Sequence, residues 1–381
     1  MGRWIIIFFL LIISIYFLLH YYIGKKGLSI LNFNKCSKNI YWFFIYFLGF
    51  SFFLGRIGNE YIPWNISTLL TVIGAYWIGL IVYLWILFIA KDIVNLFVRT
   101  IFGRHNIIEE NKKLINLTII ILSVILVAYG AINAKRPRIV EYSIDINKKV
   151  ENIDQMKVVL ISDLHIGQIV GNRFLRNIVN IVNSLEPDLI LIPGDIIDDN
   201  LHENIQVKIG DILKDLNSTY GVYASLGNHE FIGGQADEIE EYLNSVNINV
   251  LRDEALKVAD SFYIIGREDK ASERFTNIHR RELSDIMLEI DRLNPIFMLD
   301  HQPIDIVMAR DEGVDLQVSG HTHRGQILPG RFFTKRIFDV DWGLYKESSY
   351  HLIVTSGAGT WGPPIRIGTN SEVVLININF N

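Results

Sequence analysis

The sequence predicts N-terminal transmembrane α-helices followed by an α/β domain, and three observations carry that expectation. Long apolar stretches fill the first third of the 381 residues. The charge divides at the same place: residues 1–134 carry 11 Lys/Arg against 4 Asp/Glu, and the remainder 25 against 37. Downstream, apolar runs of strand length alternate with amphipathic helical segments, the pattern of right-handed crossovers between parallel strands. With 50% hydrophobic residues and a mean hydropathy of +0.27, the chain is not composed like an ordinary soluble enzyme. The acidic second part is long enough for a full core and argues against a nucleic-acid partner, which calls for a basic face. Cys36 is the only cysteine, which excludes an intrachain disulfide and a cysteine-based zinc site.

Four apolar stretches approach or reach the roughly 20 residues needed to cross a bilayer. They are Trp4–Leu19 (extendable to Ile23), Ile40–Leu54, Leu69–Ala90 and Leu114–Ala134. The first lacks the small-residue cleavage site of a signal peptide, and three more follow it. No charge interrupts them, whereas a transporter would show ionisable groups there, so they read as an anchor. Lys25, Lys26, Lys35 and Lys38 follow the first stretch. Lys91, Arg99, Arg104, Lys112 and Lys113 follow the third, and only Arg56 lies between the middle two. The excess places the first and third loops in the cytoplasm and the globular part outside, a multi-pass cell-membrane protein with an extracytoplasmic domain. Lys135, Arg136 and Arg138 oppose that orientation. The chain thus divides into a membrane domain of about four transmembrane helices (1–134), a linker with an entry strand near Ile139–Ile146 (135–154), and a globular domain (155–381).

In that domain Val158–Ile161 reads as a buried strand that empties into Asp163-Leu164-His165. A helix over Asn172–Leu185 is stopped by Pro187. The strand Asp188–Pro193 runs into Gly194-Asp195, with Asp198-Asp199 beyond. A helix near Glu203–Leu216 leads to the strand Gly221–Leu226, which ends at Gly227-Asn228-His229-Glu230. A helix near Asp237–Val246 precedes short strands at Asn249–Leu251 and Ser261–Ile265. Residues 266–278 are charged and aperiodic and read as a surface loop. A helix over Arg280–Leu293 leads to the strand Ile296–Leu299 and His301. Leu316–Ser319 then runs into Gly320-His321-Thr322-His323-Arg324-Gly325. Late strands at Tyr350–Ser356 and Val373–Phe380 flank a Gly/Pro-rich turn, 357–364.

Five strand ends therefore deliver Asp163, His165, Asp195, Asn228, His301, His321 and His323 to the edge where an open α/β sheet places its site. Each has a bland alternative as a turn or capping residue, but their coincidence makes accident improbable. Carboxylate, imidazole and amide oxygen without thiolate suit Mn, Fe or Zn. Seven ligands exceed the needs of one ion that must also bind water. Two ions sharing a carboxylate resolve the excess, and such pairs cleave phosphate esters with a metal-generated hydroxide. His20, His105, His202, His279 and His351 fall in no such setting.

The series DLH, GDIIDD, GNHE, a lone His and GHTHRG, in this order, resembles the calcineurin-like metallophosphoesterase family over about residues 155–380. GAGTWGPPIRIG resembles the signature of its membrane-associated bacterial subgroup. The resemblance implies a four-layer α/β/β/α metallophosphoesterase sandwich with a dimetal site at the strand ends. It implies that Asp163, His165 and His323 hold one ion and that Asn228, His301 and His321 hold the other. Asp195 would bridge them. His229 would contact the phosphate and protonate the leaving oxygen, a task imidazole suits. Arg324 stands where subgroup members often have Gly, and its position suits clamping a phosphate oxygen.

The expectation is a membrane-anchored phosphoesterase using two divalent transition-metal ions, with Mn favoured. It would hydrolyse phosphoesters, in first place phosphodiesters, with a membrane lipid or envelope polymer as candidate substrate. The alternative is a membrane sensor or scaffold whose phosphoesterase-like domain only binds.

Overall fold

The computed structural model describes residues 2–381 apart from 32, 60, 103–106, 199–207 and 277. It separates into two compact units, residues 1–131 with 362–365, and residues 132–361 with 366–381.

The first unit is helical. α1 spans Gly2–Leu28, α2 Lys35–Gly58, α3 Trp64–Phe102 and α4 Lys112–Ala134. Among the described residues, three helices (Lys35–Gly58, Trp64–Ile101 and Lys112–Ala134) are long and apolar enough to cross a membrane. α3 outruns its apolar stretch because KDIVNLFVRTIF contains neither Pro nor Gly to stop it. Lys91 and Arg99 consequently lie on a helix and not in a loop. Asp92, the second residue of that extension, takes Lys26 Nζ at 2.5 Å and the Tyr22 hydroxyl at 2.6 Å, so α1 and α3 are joined by a charged pair.

The second unit holds two six-stranded mixed sheets. Sheet one runs β1-β12-β2-β3-β4-β5 and sheet two β10-β11-β9-β8-β7-β6. β1 (Arg138–Ile146), where an entry strand is expected near Ile139–Ile146, pairs parallel with β12 (Glu372–Phe380). β12 in turn lies antiparallel to β2 (Gln155–Leu160). β3 (Leu189–Pro193), β4 (Val222–Ser225) and β5 (Ile248–Val250) continue in parallel. In sheet two, β7 (Phe262–Gly266), β8 (Ile296–Leu299), β9 (Leu316–Ser319) and β11 (Tyr350–Val354) are parallel. β6 (Glu254–Val258) and β10 (Gly343–Glu347) are antiparallel edges.

Strand periodicity sorts the side chains into layers. Val158 and Leu160 point into a core shared with Phe297, Leu316 and Ile353 of the other sheet. Val159 and Ile161 point outward under α5 (Asn172–Ser184), against Leu175, Ile178 and Val182. The outer face of sheet two is covered by Leu283, Ile286 and Ile306. The result is helix, sheet, sheet, helix, the expected sandwich.

Two expectations are corrected. The helix expected over Arg280–Leu293 shrinks to Leu283–Met287, because residues 280–282 are pinned outside it. Arg281 N donates to Asp253 at 2.7 Å, and the Arg280 guanidinium pairs with buried Asp300. Residues 266–278 are not a simple surface loop: Arg267, Glu268 and Asp269 are buried, each charge paired or hydrogen-bonded. Of the helix expected near Glu203–Leu216, Ile209–Leu213 is observed. Residues 203–207, like Asp199, His105 and His202, lie outside the described residues.

Candidate metal centre

The carboxyl ends of β2, β3 and β4 in one sheet, and of β8 and β9 in the other, open onto one rim. Backbone strain concentrates there: Asp163 (φ 53°), His165 (47°), Asp195 (53°), His321 (67°) and His323 (46°) all occupy the left-handed region. Such geometry costs of order 1–3 kcal/mol per residue and persists where its surroundings enforce it. The preceding glycines are steric necessities. A Cβ on Gly227 would sit 2.2 Å from Asp195 Oδ1, and one on Gly320 2.2 Å from Asp163 Oδ2.

All seven expected ligands meet at this rim, in two groups. In the first, His165 Nε2 and His323 Nε2 face one another at 3.0 Å, and Asp163 Oδ1 lies 3.3 Å from the latter. In the second, His301 Nε2 is 3.1 Å from Asn228 Oδ1 and 3.2 Å from His321 Nδ1, which is itself 2.8 Å from Asn228 Oδ1. Asp195 Oδ2 stands between the groups, 3.7 Å from His165 Nε2 and 3.2 Å from His301 Nε2.

This donor set fits two cations. Buried lone pairs converge at contact distance, which is costly unless a positive charge sits among them. His301 Nδ1 donates to Pro193 O at 2.9 Å, which turns Nε2 inward. There burial disfavours the charged ring, but the Asp195 charge and hydrogen bond outweigh it and hold the pKa well above the usual value, so that a cation would take the place of the Nε2 proton. Burial, aided by the neighbouring His301 charge, lowers His321 to about 3. Burial and the nearby His165 hold His323 well below the usual imidazole value. Both rings are thus neutral, as ligands must be.

His229 lies at the edge of the rim, its ring centroid 4.7 Å from that of His165. Its Nδ1 is 2.5 Å from Asp198 Oδ1. Burial disfavours the charged ring, but the Asp198 hydrogen bond and the Asp195 charge outweigh it and raise His229 to about 8. Arg324 lies over the Trp342 ring, 3.5 Å from its centroid. Of the histidines set aside in the sequence, His351 is buried in β11, His20 accepts from Trp77 Nε1 within the helical unit at 3.1 Å, and His279 is exposed.

Three residues of the site had no role in the sequence reading. Asp198 is the one signalled best, as an acid one turn beyond Asp195. Glu230, fully buried, accepts from the backbone N–H groups of Ile196 (2.7 Å), Ile197 (3.0 Å) and Gly227 (2.8 Å), and so ties the loop carrying Asp195 to the loop carrying Asn228. Arg366 is fully buried. Its Nη2 donates to Ser356 O (2.6 Å) and Gly359 O (2.7 Å) and lies 3.3 Å from His323 Nδ1. Ala358 N and Gly359 N donate in turn to Ser162 O and Asp163 O, both at 2.9 Å. With Nη1 donating to His323 O at 3.4 Å, one guanidinium thereby braces the backbones of Asp163 and His323. Among the described residues it has no paired carboxylate, and burial lowers it to about 10.

The family model for calcineurin-like phosphoesterases matches residues 156–325. An uncharacterised metallophosphoesterase of Campylobacter jejuni is 30% identical over 379 residues, 98% of this chain and 98% of that one. One from Helicobacter pylori is 31% identical over 64% of each chain. A transmembrane protein with metallophosphoesterase domain from Danio rerio is 30% identical over 68% of this chain and 61% of that one. With apolar helices ahead of the two-sheet sandwich and a near full-length relative, this chain belongs to the calcineurin-like metallophosphoesterase family and is a metal-dependent phosphoester hydrolase.

Proposed function

We propose that the protein is a multi-pass, membrane-anchored phosphodiesterase, with residues 1–134 as anchor, 135–154 as lead-in and 155–381 as catalytic domain. Asp163, His165 and His323 would hold one divalent ion and Asn228, His301 and His321 the other. Asp195 would be shared, with Mn the favoured metal. When bound, the two cations supply Lewis acidity, polarising phosphoryl oxygens and lowering the pKa of a water.

The chain's own residues do the rest. Asp198 holds the His229 ring so that its Nε2 edge can carry a proton to the leaving oxygen, and the raised pKa keeps that proton available at neutral pH. Asn228 and His229 would contact the phosphate. Arg324 would join them only by leaving the Trp342 ring. Lipid-linked or envelope phosphodiesters are the favoured substrates, since the catalytic domain follows directly on apolar helices.

The observation that carries this reading is the pair of ligand groups sharing Asp195, with a carboxylate-held histidine beside them. The test is metal analysis and turnover of the full chain in detergent. The expected result is two transition-metal ions per chain and Mn-stimulated hydrolysis of an aryl phosphodiester. Fewer than one ion per chain after loading, with no stimulated turnover, would sink it.

A further inference from the structure

The segment Leu328–Ile337 (LPGRFFTKRI) leaves the layered core beside the metal-centre rim. Residues Arg331–Ile337 form a helical turn none of whose residues is buried. Phe332 and Phe333 are each 64% exposed, Ile337 71%, and nearby Trp361 55%. Clustered exposed aromatics of this kind mark an interface. The charges among them are Arg331, Lys335 and Arg336, with no acid between residues 328 and 337. Aromatic and aliphatic side chains interspersed with three cations, with Asp339 and the Thr334-bonded Asp341 following beyond the turn, are the composition of a segment that lies in the headgroup region of an anionic bilayer.

The place of this patch in the domain points the same way. The Gln326 side chain clamps Trp361 through both its amide atoms, at 2.8 and 3.0 Å. Leu328 N donates to Ile367 O at 2.9 Å. The turn that begins there is bonded to the last residues of α4: Asn133 Nδ2 donates to Arg366 O (3.0 Å) and Thr369 O (2.8 Å), and Ser371 Oγ to Ala134 O (2.9 Å). α4 is one of the three helices apolar enough to cross a membrane. The patch is therefore bonded to a turn that also holds Asn133 and Ala134, where the chain enters this unit. Trp361 links it to the chemistry, its ring centroid 5.8 Å from that of His229.

We propose that Leu328–Ile337, with Trp361, docks on the headgroup layer of an anionic bilayer, the one holding the chain's own helices, and so presents the site to phosphoesters of lipid headgroups. The substrate part of this statement rests on the phosphoesterase reading above. A second copy of the chain suits the patch less well, because a two-fold contact would set three cations against three cations.

The test uses the full-length chain in nanodiscs of phosphatidylcholine and phosphatidylglycerol. Cys36→Ser removes the only cysteine, and Phe333→Cys carries a polarity-sensitive fluorophore. Its emission should shift to the blue and be quenched by lipids bearing a nitroxide high on the acyl chain. The same label at Leu293→Cys, a position 82% exposed, should show neither effect. Lys335→Glu with Arg336→Glu should weaken the quenching. A label at 333 that aqueous iodide quenches as readily as at 293 overturns the proposal. A label shielded from both quenchers overturns it too, by assigning the patch to a protein partner or a second copy. In the catalytic arm, Phe332→Ser with Phe333→Ser should slow hydrolysis of a bilayer-embedded fluorescent glycerophospholipid by about tenfold or more. Turnover of a soluble aryl phosphodiester should change by less than about twofold, since neither residue belongs to the metal centre. Equal losses on both substrates overturn the docking role. Failure of the unsubstituted chain on every substrate defeats the phosphoesterase reading alone, and the quenching result still decides the docking.

Discussion

At the scale of single residues, His229 and Asp198 form one hydrogen-bonded pair. His229→Ala should leave metal content near normal and lower kcat by roughly 10²–10⁴-fold, the usual worth of a general acid. The loss should shrink for strongly acidic leaving groups, which need no proton. Asp198→Asn should show the same dependence on leaving group. The carboxylate holds the His229 proton up to about pH 8, so its removal should move the alkaline limb of kcat/KM to lower pH. An unchanged limb, with equal losses for good and poor leaving groups, would remove both residues from proton transfer. The seven expected ligand positions were legible because each ends or follows a buried β-run, and all seven meet in space. Asp198 was visible only as an acid in a turn, since its meaning lies in a partner 31 positions later that no spacing rule connects to it. Glu230 and Arg366 stand inside the GNHE and GAGTWGPPIRIG motifs, but their roles were not legible, because the groups they bind are mostly backbone groups that no side-chain pattern names.

At the scale of elements, the turn from Ser356 to Ser371 is a support built around one buried cation. Replacing Arg366 by Met keeps most of the volume and removes every hydrogen bond, so the backbones of Asp163 and His323 should loosen together. Affinity for one of two metal ions should fall by roughly 10–100-fold, the usual cost of losing a supporting partner. The other ion should bind as before. Arg366→Lys should recover only part of the loss, because an ammonium cannot reach the same fan of carbonyls. Stepwise metal titration by calorimetry would show this, and equal weakening of both ions would contradict it. Legibility differs between elements for physical reasons. Central parallel strands are buried over most of their length and were found, whereas β6 (EALKV) and β10 (GLYKE) are half-polar antiparallel edges with the look of loops. The helical pattern over 280–293 was overridden by tertiary ion pairs at its start, which local periodicity does not register.

At the scale of the whole molecule, the distribution of Lys and Arg should hold the first and third connections of the anchor in the cytoplasm, leaving residues 135–381 outside. Protease added to intact cells or protoplasts should then cut the catalytic domain. Protection until lysis would show that Lys135, Arg136 and Arg138 were the dominant signal. The two-unit plan was readable from hydropathy and charge, but the membership of β1 in sheet one was not, because its partner lies at the far end of the chain. That pairing sets a schedule for biogenesis. Asn377 bonds Glu141 across 236 residues, so at about 5–20 residues per second the first strand waits roughly ten to fifty seconds for its neighbour. With the domain outside, that interval would leave an unpaired strand edge beside the translocation machinery, with one side open to other chains. Holding factors at the membrane, and not the ribosome alone, would then govern the yield of folded enzyme.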